Sequence, residues 1–281
     1  MPSSVALTRS ASIIPGRALA VLTALALVLT TALVLAPAWL ADSGPSDFAD
    51  QHKLRRALRD GFVAYWNSGN RTHPPALISV INYWFRYHVA KGAIAAVLLI
   101  VLIALATLLW KAYLRAGGLG AAQQYALVTA GTLVSLFALA ALLTVIANIQ
   151  GAVAPFSSLL PMLPSGANDP QLAATFDQIR QQLTEATGAA PPVNDMVSDF
   201  TRYHVTMAII AAILATTALG LTAVSWKRFA RSADTRTRRI LCGSGIVTAL
   251  LSLASIVLLT ANTTSAMHST SALSAFFNGG W

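Results

Sequence analysis

Charge is the scarcest property of this 281-residue chain: Asp, Glu, Lys and Arg together make up 10% of it, where a soluble domain carries about a quarter. That scarcity, with 56% hydrophobic residues and a mean hydropathy of +0.63, excludes a soluble enzyme and a disordered regulator. Cysteine is nearly absent. The single Cys242 allows no intramolecular disulfide and no thiolate metal cluster, and it reads as a small buried hydrophobe. Catalytic signatures are missing too: there is no phosphate-cradling glycine loop, no His-Glu-x-x-His, no Gly-x-Ser-x-Gly and no dinucleotide fingerprint. No catalytic residue, cofactor or metal is therefore expected.

What the chain does have is five apolar stretches, at about 18–41, 88–110, 125–149, 204–226 and 240–264. Each is long enough to cross a ~30 Å hydrocarbon core as a helix. The expectation is an all-α, polytopic membrane protein with five transmembrane helices. No Asp or Glu lies within any stretch, which weighs against an ion-coupled transporter. Basic residues are retained on the cytoplasmic side of a membrane and so set the orientation. Arg9, Arg17 and the two short connections (Lys111 and Arg115; Lys227, Arg228, Arg231, Arg236, Arg238 and Arg239) face only Asp234, and hold the whole net charge of +9. The long connections, counting Lys91 at their border, carry nine acids and nine bases. This predicts a cell-membrane protein with its N-terminus cytoplasmic and its C-terminus outside. It also explains a pI near 10.3 without invoking nucleic acid. Trp39 and Trp84 fall at outer span ends and Trp110 and Trp226 at inner ends, where amphipathic rings anchor at headgroup level. The first stretch reads as an uncleaved signal anchor, with a signal peptide ending at Ala36-Pro37-Ala38 as the alternative.

The strongest signal is a repeat. Residues 86–115 align without gaps on 202–231, both opening on Arg-Tyr-His-Val and closing on Trp-Lys and Arg, with twelve of thirty positions identical. At an offset of 114, Gly131 and Ala147-Asn148 then match Gly245 and Ala261-Asn262; upstream, Pro74-Pro75 matches Pro191-Pro192 and Asp50-Gln51 matches Asp177-Gln178. Both copies enter from the same side, so the duplication is parallel. The chain then parses as 1–41 (N-terminus and first span), 42–149 (repeat 1), 150–264 (repeat 2) and 265–281 (outer C-terminal tail).

Each repeat opens with an amphipathic outer segment. In the second, Asp169 suits an N-cap and Pro170 the first helical position; Leu172, Phe176, Ile179 and Leu183 form one stripe, and Gly188 with Pro191-Pro192 ends it. In the first, Leu54, Ala57, Leu58 and Phe62 make a shorter stripe with Arg55, Arg56 and Arg59 off it. The two segments carry opposite net charge and either dock on one another or lie separately on the bilayer surface.

The duplicated motif supplies the candidate site. Arg86, Tyr87, His88 and their counterparts Arg202, Tyr203 and His204 read either as an interfacial anchoring belt or as a pseudo-symmetric outer binding site. Partial desolvation at the outer boundary would favour the neutral imidazole. Lys91, about one turn from His88, reads as a snorkelling anchor. None of the five histidines shares a ligand-like spacing with another. Thr129, Thr132, Asn148, Thr216, Thr217 and Asn262, with Gly243 and Gly245, read as helix-packing residues.

With Ala147-Asn148-Ile149-Gln150-Gly151 running into Pro155-Phe156, the overall pattern resembles uncharacterised multi-pass membrane proteins of actinobacterial type. That resemblance implies a membrane location and no activity. The preferred expectation is a non-enzymatic accessory or interaction module working through its outer segments, in contact with lipid and with a membrane-protein partner or a second copy. The alternative is a lipid or small-molecule binding protein or permease with its site between the repeats.

Overall fold

The computed structural model describes residues 16–42, 47–115, 120–164, 169–184 and 190–279. Arg9 and Gly188 lie outside the described residues. Among the described residues there are nine α-helices and no strand. They are α1 (Gly16–Ala41), α2 (Gln51–Ser68), α3 (Pro75–Arg115), α4 (Ala121–Val153), α5 (Pro155–Leu159), α6 (Pro170–Thr184), α7 (Pro191–Arg231), α8 (Thr235–Met267) and α9 (Ser269–Phe277), with a 3₁₀ turn over Leu160–Met162. Helices α1, α3, α4, α7 and α8 are long and apolar enough to cross a membrane. The all-α, multi-pass expectation holds.

Two of these helices run well past their apolar stretches. α3 and α7 each have 41 residues, roughly 60 Å at 1.5 Å per residue and about twice the hydrocarbon thickness. Each starts at a proline, whose missing N–H costs nothing in the first turn. Hydropathy marks the apolar run alone, whereas the helix continues wherever an amphipathic face finds a partner. Leu77, Val80 and Tyr83 on α3, and Val193 and Met196 on α7, are buried.

Among the described residues the chain divides into two compact bodies, one of residues 16–34 with the described part of Ile94–Leu143, the other of Leu35–Ala93 with those from Thr144 onward. The first holds the apolar lengths of α1, α3 and α4. Ala26 packs with Leu98, Val101, Leu102 and Ala141, flanked by Leu22, Leu29 and Leu33. Near the α3 C-terminus, Trp110 lies over Gly131, where a methyl group would come within 3.1 Å of the indole. The indole N–H donates to Ser135 Oγ at 3.2 Å.

In the second body, α7 and α8 form a hairpin closed by a three-residue turn. Asp234 caps α8 by accepting from the Thr237 N–H at 2.8 Å. The seam is made of small residues: Ala211, Ala215, Ala218 and Ser225 on α7 are buried, as are Gly245, Ser252 and Ser255 on α8. Thr222 donates to Thr248 Oγ1 at 2.8 Å across it. Small side chains let helices approach where lipid supplies no hydrophobic drive between them.

The rest of this body is a helical cluster with its own core, built from α2, α5, α6, α9 and the extended starts of α3 and α7. Leu54, Leu58, Phe62 and Tyr65 of α2, Phe156 and Leu159 of α5, Ile179 of α6 and Leu273 of α9 are all buried there. The Phe62 ring meets Phe156 at 6.4 Å and Phe176 at 6.3 Å. The two amphipathic segments thus dock on each other, and the alternative of separate helices does not occur. Asp169 accepts from the N–H groups of Gln171 and Leu172, as its position before Pro170 predicts. Asp50 caps α2 in the same way through His52. Asp177 instead lies within α6, paired with Arg180, so Asp50 and Asp177 do not occupy matching places. α2 ends at Gly69, whose φ of 64° is a left-handed conformation that glycine adopts without strain. The expected C-terminal tail contains α9, whose Phe277 ring packs on Phe176 at 5.4 Å.

Candidate functional site

Each histidine of the duplicated motif bonds to an asparagine on the next helix. His88 Nδ1 lies 2.9 Å from Asn148 Oδ1, and His204 Nδ1 lies 2.9 Å from Asn262 Oδ1. The asparagine orientations follow from their other ends. Asn148 Nδ2 donates to the Thr144 carbonyl at 2.7 Å and Asn262 Nδ2 to the Leu258 carbonyl at 2.8 Å. With the amide nitrogen committed, the oxygen faces the ring, so Nδ1 must carry the proton. The other ring nitrogen, Nε2, faces away from this bond. In His88 that nitrogen is buried and has no partner.

The rings are boxed by aromatics at matching places. Trp84 meets His88 edge-on at 4.8 Å and Phe200 meets His204 at 4.4 Å. Tyr87 and Tyr203 stand at 5.8 Å and 5.4 Å from the same rings, in both cases nearly perpendicular. The copies differ below the ring. A Cβ on Gly151 would come within 2.5 Å of His88 Cε1 and Nε2, so only glycine admits the ring there; the position 114 residues on is Ser265.

The remaining motif residues face other partners. Tyr87 stacks on Trp84 at 5.2 Å with the rings 3° from parallel, and its hydroxyl receives Lys91 Nζ at 3.1 Å. The Tyr203 carbonyl accepts from Gln150 Nε2 at 3.3 Å. Arg202 lies 3.4 Å from Asp199, one turn away on its own helix. Arg86 and Arg202 are exposed. Asn148 and Asn262 do join helices, as their type suggests. Thr216 instead bonds its own helix at the Ala212 carbonyl, and Gly243 faces open space.

A second polar constellation escaped the sequence reading. The Tyr65 hydroxyl, fully buried, donates to Asp195 Oδ2 at 3.1 Å, and His73 Nε2 lies 3.2 Å from the same oxygen. Burial first, and the Asp195 charge second, push the Tyr65 phenol well above its ordinary range. The His73 ring sits between Tyr65 and Phe156, at 4.7 Å and 4.8 Å. These residues tie α2 and the loop after it to the start of α7. Their sequence separations, about 130 residues from Tyr65 to Asp195, offer no local pattern to read. A cleft of about 400 Å³ opens between α6 and α9, lined by Leu172, Phe176, Phe276 and Arg180 among others.

Chemically, the motif provides two hydrogen-bonded, aromatic-boxed imidazoles. Among the described residues, no three His, Cys, Asp or Glu side chains gather as a metal ion would require. No family model, curated protein or solved structure matches the chain.

Proposed function

We propose that the chain is an integral protein of the cell membrane, anchored by an uncleaved first helix, whose extracytoplasmic helical cluster is a non-enzymatic docking module for a membrane-protein partner or a second copy. The observation that carries this reading is the cluster's core. Phe62, Tyr65, Leu159, Ile179 and Leu273 are shielded by helices that belong to loops and tail, so the connections hold a fixed surface. The packing of Leu22, Leu29 and Leu33 of α1 into the first body supports a retained anchor. The basic residues at the α3–α4 and α7–α8 connections support a cytoplasmic placement of those turns. The matched histidine–asparagine pairs and their aromatic boxes support descent of α3–α4 and α7–α8 from one duplicated hairpin, in which Arg-Tyr-His-Val is a packing and anchoring element.

Extraction in mild detergent followed by affinity purification tests the docking role. A stoichiometric membrane-protein partner or a stable dimer is expected, lost when exposed residues of α2 and α6 are changed. A monodisperse monomer under several detergents and in native-membrane nanodiscs contradicts the role. Orientation has its own test in a Cys242→Ser background. A cysteine at Ser232 should resist an impermeant thiol reagent in intact cells, and labelling there overturns the orientation.

A further inference from the structure

The turn between α7 and α8 concentrates positive charge. Lys227, Arg228, Arg231, Arg236, Arg238 and Arg239 fall within thirteen positions with a single acid, Asp234. That acid is engaged by the cap it makes to Thr237. Lys227, Arg228, Arg231, Arg238 and Arg239 are exposed. Among the described residues no carboxylate forms an ion pair with any of these five.

Their placement on the helices separates them into two sets. The α7 cations lie in a helix C-terminal turn, where the peptide dipoles favour positive charge. Arg236, Arg238 and Arg239 lie at the start of α8, where the same dipoles disfavour it. Helix stability therefore gives no reason for the exposed Arg238 and Arg239 there, and an external anion does. The equivalent start of α4 reads Ala121-Ala122-Gln123-Gln124, without a cation, so the feature is not a general consequence of starting a helix at this depth. Arg238 is also held in place, its guanidinium 4.6 Å from the centre of the Phe229 ring.

The height of the patch identifies the anion. Trp226, half-exposed, directly precedes Lys227, and the apolar run of α7 ends there. A helix crossing a bilayer leaves such a tryptophan at the headgroup level and the following cations among the phosphates. We propose that the α7–α8 turn is a binding site for anionic phospholipid headgroups, with Arg238 and Arg239 receiving the phosphodiester. Planar guanidinium groups match a phosphodiester in two parallel hydrogen bonds, which an ammonium does not provide. The assignment does not depend on which leaflet the turn faces or on the docking role of the helical cluster.

The test uses the full chain, delipidated in detergent and titrated with dioctanoyl phosphatidylglycerol, with dioctanoyl phosphatidylcholine and inorganic phosphate as separate arms. Unfolding is followed by tryptophan fluorescence. Phosphatidylglycerol should raise the unfolding temperature at far lower concentration than either other arm, and 500 mM NaCl should weaken its effect. Each basic side chain at a membrane surface contributes about fivefold to anionic-lipid affinity, so R238Q/R239Q should weaken it about 25-fold. K111Q/R115Q, at the other turn, should leave it within about twofold. R238K/R239K should restore only the charge-dependent part of the loss, a partial recovery that also controls for a folding defect in the glutamine variant. Equal stabilisation by phosphatidylcholine, an equal response to inorganic phosphate, or an unchanged phosphatidylglycerol titration in the glutamine variant overturns the proposal.

Discussion

Replacing Gly151 by alanine perturbs the histidine box at its tightest point. The added methyl would stand 2.5 Å from His88 Cε1 and Nε2 and 2.7 Å from Cδ2, distances that real Cβ contacts essentially never show. The ring cannot simply retreat, because Trp84 closes one side at 4.8 Å and the 2.9 Å bond to Asn148 fixes the other. Overpacking of this kind costs about 1–3 kcal/mol. Losing the His88–Asn148 bond adds about 0.5–1.5 kcal/mol. Gly151→Ala should therefore destabilise the protein by about 2–4 kcal/mol. In a His88→Ala background the clash has no partner, and alanine's helix preference makes the same change neutral or stabilising by about 0.5–1 kcal/mol. Wild type, the two single variants and the double variant, unfolded thermally in one detergent, give the coupling directly. A coupling below about 0.5 kcal/mol, within the scatter of independent sites, would refute the packing argument.

Four further outcomes follow from named contacts. Leu273→Ala should cost about 2–5 kcal/mol, because α9 buries this side chain completely in the cluster, and unfolding in detergent measures it. Asp169→Ala should cost about 1 kcal/mol by freeing the N–H groups of Gln171 and Leu172, with faster amide exchange confined to the first turn of α6. The Tyr65 phenol has a folded-state pKa above its unfolded value of 10.0, so its stabilising effect is complete below that pH and is lost as pH rises towards the folded value. Raising the pH from 10 to 12 should therefore lower the unfolding temperature more in wild type than in Tyr65→Phe. Gly245→Ala should move the Trp226 indole, which a Cβ would meet at 3.2 Å, and shift its fluorescence without disturbing α9.

The five spans, the helical class and both amphipathic stripes were readable because each rests on a local period or an uninterrupted apolar run. Leu54, Leu58 and Phe62, and Leu172, Ile179 and Leu183, are buried in the register that their spacing predicts. The extended starts of α3 and α7 were not readable as helix, since residues 75–87 and 191–203 carry mixed polarity and owe their order to the cluster they pack on. α9 was missed for a similar reason: Ser269–Phe277 is short and has only Leu273 and Phe277 buried with Ser269. For the candidate site, the repeat pointed to both histidines and both asparagines. It did not pair them, because the bond from His88 to Asn148 spans 60 residues and lies between helices. The glycine at 151 carries no signal until the ring above it is seen. The small-residue seam of α7 and α8 was anticipated in kind, yet Thr222, Thr248 and Ser252 form it where Thr216 and Gly243 were expected.

The central claim is that the connections and tail fold into one helical cluster rather than lying as separate helices on the bilayer. Hydrogen–deuterium exchange on the full chain in nanodiscs addresses it most directly. Amides of Leu54–Trp66, Leu172–Leu183 and Leu273–Phe277 should be protected together and should lose protection together in Phe62→Ala. Exchange of the three segments at unrelated rates, each indifferent to Phe62→Ala, would contradict the cluster and the docking role proposed from it.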